Sequence, residues 1–185
     1  MRIVAGSFRG LRLAALGKGD PAAHLRPTPD RVRESLFSML TSRIGPLDGL
    51  HVLDLFAGTG ALGLEALSRG AAHVTFVESG RKAQALIQQN IALTRTAPQT
   101  RLLKLDATRL GPAPDAPADL VFLDPPYGKS LGQKALTAAR AGGWIAPEAF
   151  VLWEENAAQD APDGFSAQDS RRFGDTHVTF LTADP

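Results

Sequence analysis

The run His51-Val52-Leu53-Asp54-Leu55, passing directly into Phe56-Ala57-Gly58-Thr59-Gly60-Ala61-Leu62-Gly63, limits the possible folds more than any other part of the chain. Five mostly apolar residues read as a buried strand, and the closely spaced glycines as a loop that needs unusual backbone angles. From Ala61 onward the pattern is that of a helix. A strand, a glycine loop and a helix start open a βαβ unit, whose helix must cross to a parallel neighbour. Further strands are expected at His73–Val77, Thr100–Leu105, Leu120–Leu123 and Phe150–Glu154, with helices at Ala61–Arg69, Arg81 to about Arg95 and Leu131–Ala141. That alternation predicts an α/β fold with a mostly parallel sheet and helices on both faces. At the end, Phe165–Arg172 and Thr176–Leu181 flank the turn signal Phe173-Gly174-Asp175. A terminal hairpin follows, hence one antiparallel strand near the C-terminus and seven strands in all. The Pro-rich stretch 111–117 reads as a stiff surface connection.

Gly58, Gly60 and Gly63 satisfy G-x-G-x-x-G literally, which alone suggests a pyrophosphate at a helix N-terminus. Asp54 changes that reading, because an acid at the strand's tip would repel a pyrophosphate and attract a cation. S-adenosylmethionine carries a sulfonium and an ammonium, and the small loop residues let its methionine part approach the backbone. Glu78 ends the second strand twenty-four positions after Asp54, where doubly wound folds bind ribose hydroxyls. Asp106 follows the third strand, and Asp124 follows the fourth. Acids gathered at the carboxyl edge of a parallel sheet mark the ligand crevice of open α/β folds. The plainer readings are a loop-bracing Asp54, a helix-capping Glu78 and an Asp106 that starts a helical turn.

Asp124-Pro125-Pro126-Tyr127 closes the apolar run Leu120-Val121-Phe122-Leu123 and suits methyl transfer to a planar amino nitrogen. The lone pair of such an NH2 is delocalised and must be localised before it attacks. Asp124 and the Pro125 carbonyl can each accept a hydrogen bond from it and draw the nitrogen toward tetrahedral geometry. The two prolines donate no N–H and fix φ, which stiffens the hook. Tyr127 offers a face for stacking a base, worth about 1–3 kcal/mol. A Pro-rich turn after a buried strand is the simpler alternative; the flanking Asp and Tyr argue against it.

Net charge is +1, but residues 1–45 carry eight Lys/Arg against three acids, and the remainder twelve against sixteen. The division into a basic extension (1–45, +5) and an acidic catalytic core (46–185, −4) within one domain suits an enzyme that handles RNA phosphates beside a cationic ligand. Arg2, Arg9 and Arg12 fall in an expected hairpin, Arg2–Ala5 with Leu11–Ala14. A helix is expected over Pro29–Ser42, with Thr28 as N-cap and an apolar stripe of Val32, Leu36, Met39 and Leu40. Arg31, Arg33 and Glu34 lie off that stripe, facing cofactor or RNA. Solvated surface charge is the alternative for all of these.

Zero cysteines exclude disulfides and a thiolate nucleophile, and so the covalent route to pyrimidine carbon 5. His24, His51, His73 and His177 are scattered, so no metal is expected. No apolar run reaches membrane-spanning length and the first residues are no signal peptide, which points to a cytoplasmic protein.

DLFAGTGALGLEALSRGA, the Val77-Glu78 pair, LDPPYGK and RPTPDRVRESLFSML together resemble the bacterial 16S rRNA guanine-N2 methyltransferases of the RsmD type, over nearly the whole chain. The resemblance implies a Rossmann-like class I methyltransferase fold using S-adenosyl-L-methionine. It also implies a cofactor site of Asp54, Phe56, Ala57, Gly58, Thr59, Gly60, Glu78, Asp106 and Ala107, with Asp124, Pro125, Pro126 and Tyr127 holding the guanine. It suggests a lid role for the segment around the first helix. Its partner would be 16S rRNA, naked or in the assembled small subunit, met by a monomer and contacted by Arg2, Arg9, Arg12, Arg31 and Arg33. From the residues alone, guanine N2, adenine N6 and cytosine N4 stay open as acceptors. Three rivals also stand: a DNA adenine methyltransferase, which needs more room for target recognition; a protein glutamine methyltransferase, whose motif usually starts with Asn; and a NAD-binding reductase, which uses the same glycines.

Overall fold

The computed structural model describes residues 1–15 and 29–185. The seven strands are β1 (His51–Leu55), β2 (His73–Val77), β3 (Thr100–Leu103), β4 (Ala118–Leu123), β5 (Ile145–Glu155), β6 (Phe165–Phe173) and β7 (Thr176–Ala183). They form one sheet in the order β3-β2-β1-β4-β5-β7-β6. β1 to β5 pair in parallel, while β7 runs antiparallel to both β5 and β6. The chain order reverses between β1 and β4, and at such a switch point loops leaving the two strands diverge and open a crevice. The glycine loop leaves β1 there, and Asp124 leaves β4 beside it.

Among the described residues, four α-helices cover the sheet: α1 (Asp30–Ile44), α2 (Ala61–Ser68), α3 (Arg81–Thr94) and α4 (Leu131–Ala141). Strand alternation sends Leu120 and Phe122 of β4 into a core shared with α1, α2 and α3. Val121 and Leu123 enter a second core shared with α4. No described helix is long and apolar enough to cross a membrane.

α1 starts at Asp30 and runs to Ile44, ending at Gly45 with φ 82°; Thr28, expected as its cap, lies outside the described residues. Its buried face is Arg33, Leu36, Phe37 and Leu40, with Val32 and Met39 only half-buried. The expected stripe is thus rotated to take in Phe37, whose ring packs 5.6 Å from that of Phe122. Arg33 is carried inward with it. As an RNA contact Arg33 is corrected: its side chain is 0% exposed, and its guanidinium donates to Asp30 Oδ1 (2.6 Å) and to the Arg2 carbonyl (2.5 Å).

The N-terminal hairpin reduces to a single ladder bridge, Arg2 with Arg12. Main-chain bonds still cross it, Ile3 N–H to the Leu11 carbonyl (2.9 Å), Gly10 N–H to the Ile3 carbonyl (2.9 Å) and Leu13 N–H to the Met1 carbonyl (3.2 Å), while other N–H groups of the arm turn to the core. Val4 and Ala5 N–H donate to Glu65 of α2 (2.8 and 3.0 Å), Ser7 N–H to the Ser68 carbonyl, and Ala14 N–H to Asn90 of α3. Gly6 sits at φ +80°, and a Cβ there would fall 1.7 Å from the Ser68 carbonyl oxygen. β3 is two residues shorter than expected, because Asp106 instead caps a short 3₁₀ turn over Ala107–Arg109.

Candidate active site

β1 delivers Asp54 to the crevice, 2% exposed, with Oδ2 accepting the Gly63 N–H at 3.1 Å. Burial pushes its carboxyl well above the usual range, and the nearby charges of Asp124 and Glu78 push the same way against the Gly63 hydrogen bond. Gly63 lets α2 come this close, since a Cβ there would meet the Phe76 ring at 2.5 Å. Phe56 turns the chain out of the strand at φ 58°, a left-handed conformation costing a non-glycine residue about 1–2 kcal/mol.

β2 delivers Glu78, half-buried, which accepts N–H bonds from Gly58 at 2.9 Å and Gly80 at 2.7 Å. It therefore ties the glycine loop to the start of α3. Beyond β3, Asp106 is exposed and accepts from the Thr108 N–H (2.9 Å) and hydroxyl (2.8 Å), which hold its carboxyl below the usual range; Ala107 beside it is buried. Expectations of a capping carboxylate and of a rim position both describe Asp106. The three acids grade from interior to surface. A ligand with its cationic end inside and a neutral ring outside fits that gradient.

Asp124 leaves β4 with its N–H on the Leu55 carbonyl at 3.4 Å. Burial pushes its carboxyl well above the usual range, with Glu154 and Glu155 adding to the effect. Pro125 is buried, while Pro126 and Tyr127 are exposed. Tyr127 shows 40% of its surface, and its phenol lies 3.4 Å from the Thr176 hydroxyl at the β6–β7 turn. Asp124 to Tyr127 thus stand at the switch point, with Tyr127 partly open to solvent.

Three contributors escaped the sequence reading. Glu154 and Glu155 end β5 at 2% and 3% exposure, and Glu155 Oε1 accepts the Gly128 N–H at 3.2 Å. The signal was available, since β5 ends in acids like the strands beside it. Asn90, 0% exposed, donates to the carbonyls of Thr59 (2.9 Å) and Ala14 (3.1 Å), clamping the glycine loop and the N-terminal arm together. A lone Asn in a polar helix gives no such warning.

The proposed RNA-contacting arginines scatter. Arg9, Arg12 and Arg31 are exposed. Arg2 is largely exposed and pairs with Asp30 at 3.0 Å. The arm's turn, with Arg9, packs on the Ser68 end of α2, one helix length, roughly 12 Å, from the glycine loop. At the arm's other end, Met1 Sδ reaches within 3.8 Å of the Thr59 hydroxyl.

The family described as conserved hypothetical protein 95 matches residues 1–182. The ribosomal RNA small subunit methyltransferase D of Escherichia coli strain K12 is 37% identical over 162 residues, covering 88% of this chain and 78% of that protein. Its namesake in Haemophilus influenzae is 35% identical over 157 residues, covering 83% and 78%. The solved structure of the yhhF protein of Escherichia coli superposes with a TM-score of 0.80 at 31% identity, covering 100% of this chain and 98% of that one.

Proposed function

The chain belongs to the conserved hypothetical protein 95 family, the family of the RsmD methyltransferases, and from that premise we propose that it transfers a methyl group from S-adenosylmethionine to the exocyclic N2 amine of a guanine in 16S rRNA. It is a methyltransferase with a Rossmann-like fold. The observation that carries the finer reading is the adjacency of the Asp124–Tyr127 hook and the glycine loop, joined through the Asp124–Leu55 hydrogen bond.

Bound S-adenosylmethionine would supply an electrophilic methyl on a sulfonium, and the donor set fits it. Asp54 would offer a buried carboxylate to the cationic methionine end, Glu78 would hold the ribose, and Asp106 with Ala107 would hold the adenine. The raised carboxyl of Asp54 supports this, because a desolvated acid gains most from an arriving cation. Asp124 and the Pro125 carbonyl accept hydrogen bonds from the acceptor NH2, localising its lone pair toward the methyl carbon. As the nitrogen takes up the methyl, Asp124 or solvent would accept the one proton the amine loses, so that the methylated amine is left neutral. Tyr127 stacks the base so that this approach is in line.

Methyl mapping tests the proposal. In cells lacking the protein, one guanine of 16S rRNA should lose its N2 methyl and regain it on complementation with the wild-type chain but not with Asp124→Ala. An unchanged methylation map in the deletion strain would contradict it. Purified 16S rRNA and assembled small subunits, offered separately with radiolabelled donor, identify the form recognised.

A further inference from the structure

We infer that Glu155 is a positioning residue for methyl transfer, whose carboxylate, by accepting the Gly128 N–H, sets the loop that carries Asp124, Pro125 and Tyr127. The inference rests on the reading of that loop as the hook for the acceptor amine.

β5 runs parallel to β4 with Trp153 opposite Leu123, the last residue before the hook. Two positions further on, Glu155 therefore lies alongside the loop rather than beneath the core. It is 3% exposed, and a carboxylate so placed is costly unless its oxygens are satisfied. Two backbone N–H groups satisfy them, Gly128 on Oε1 at 3.2 Å and Asn156 on Oε2 at 2.9 Å. One acid thus joins the end of the sheet to the far side of the hook.

The hook needs such a tie. Residues 126–130 are all exposed, so apolar packing does not hold them. Gly128 at φ 73° takes its conformation without strain, but Ser130 at φ 50° holds a left-handed conformation that a non-glycine residue seldom adopts. Tyr127 touches Thr176 at 3.4 Å, a long bond for two hydroxyls. The Gly128–Glu155 bond is the charge-assisted one of the pair, and such bonds are about twice as strong as neutral ones. An amide at position 155 would still offer an oxygen to the Gly128 N–H, through a weaker, neutral bond. What the carboxylate adds is negative charge beside Asp124, which keeps that group avid for the proton of an incoming amine.

Tyr127 is the single tyrosine of the chain, so ring-labelled tyrosine gives one NMR signal that reads the loop directly. The full chain is compared as wild type, Glu155→Ala and Glu155→Gln, by that signal, by calorimetric affinity for S-adenosylmethionine, and by kcat on small-subunit rRNA across pH. In Glu155→Ala the signal should narrow to that of a mobile ring and kcat should fall roughly ten- to a hundredfold, with donor affinity nearly unchanged. Glu155→Gln should restore the ordered signal and move the acidic limb of kcat to lower pH. Asp54 of β1, Glu154 of β5 and Tyr127 still face Asp124 in that variant, so the shift isolates the charge at 155.

A wild-type Tyr127 signal and kcat in Glu155→Ala would overturn the inference. If Glu155→Ala does not fold, an acidic limb unmoved in Glu155→Gln overturns it. Wild-type protein inactive on rRNA would instead defeat the functional reading, and the Tyr127 signal would still decide the role of Glu155.

Discussion

The backbone N–H of Asp124 donates to the carbonyl of Leu55 at 3.4 Å, which joins the first residue of the acceptor hook to the last residue of the strand feeding the glycine loop. The proposed donor and acceptor sites would therefore share a wall made of main chain. Their separation is set by the β1–β4 register, Leu55 opposite Leu123, and not by side-chain rotamers. Sites built on strand ends hold their geometry better than sites built on loops alone.

The proposed role of Asp54 sets function against stability. Its folded pKa is raised, so its proton is favoured in the fold, and stability falls as pH climbs from the ordinary carboxylate value through the raised one. Asp54→Asn should raise the melting temperature at neutral pH, by about 2–4 °C for each kcal/mol regained, with the gain vanishing in acid. The same variant should bind S-adenosylmethionine more weakly. Scanning calorimetry against pH, with titration of the donor, checks both; an unchanged donor affinity would remove Asp54 from the site.

Asn90 is buried and holds two carbonyls and one N–H of the arm and the glycine loop. Stranding buried groups costs about 1–3 kcal/mol, so Asn90→Ala should melt earlier and also lose donor affinity through the freed Thr59 carbonyl. Thermal unfolding with and without donor separates the effects. A melting shift with no change in affinity would make the clamp purely architectural.

The arginines should divide by exposure. Arg9→Ala, Arg12→Ala and Arg31→Ala, where they meet phosphates, should each reduce the salt dependence of RNA binding by about one unit of slope in log K against log salt. Arg33→Ala should leave that slope alone and instead destabilise the fold, since it removes a buried cation that holds Asp30 and the Arg2 carbonyl. A slope change in Arg33→Ala would contradict its burial.

Whereas the strand order came only with the structure, the strands, the crossing helices and the terminal hairpin were legible because each rests on local pattern, as in the apolar run Leu120–Leu123. The acids at the strand tips were legible for the same reason, being the residues where apolar runs stop. Three-dimensional contacts were not. Arg33 looked polar-faced on a helical wheel, yet Phe37 packs against Phe122 and rotates the helix so that Arg33 turns inward. The arm read as a free hairpin because nothing in Arg2–Ala14 signals that Glu65 and Asn90, more than fifty residues away, take its N–H groups. Glu155 carried the strand-tip signal, but its partner Gly128 became apparent only with the β4–β5 register.

The central claim, that Asp124 acts on the amine and not on the donor, is tested most directly by single-turnover methylation of small-subunit rRNA with Asp124→Ala, alongside calorimetric titration of S-adenosylmethionine. The account predicts donor affinity close to wild type and a methyl-transfer rate lower by about a hundredfold or more, the scale of a lost transition-state contact. A wild-type transfer rate in that variant would contradict it.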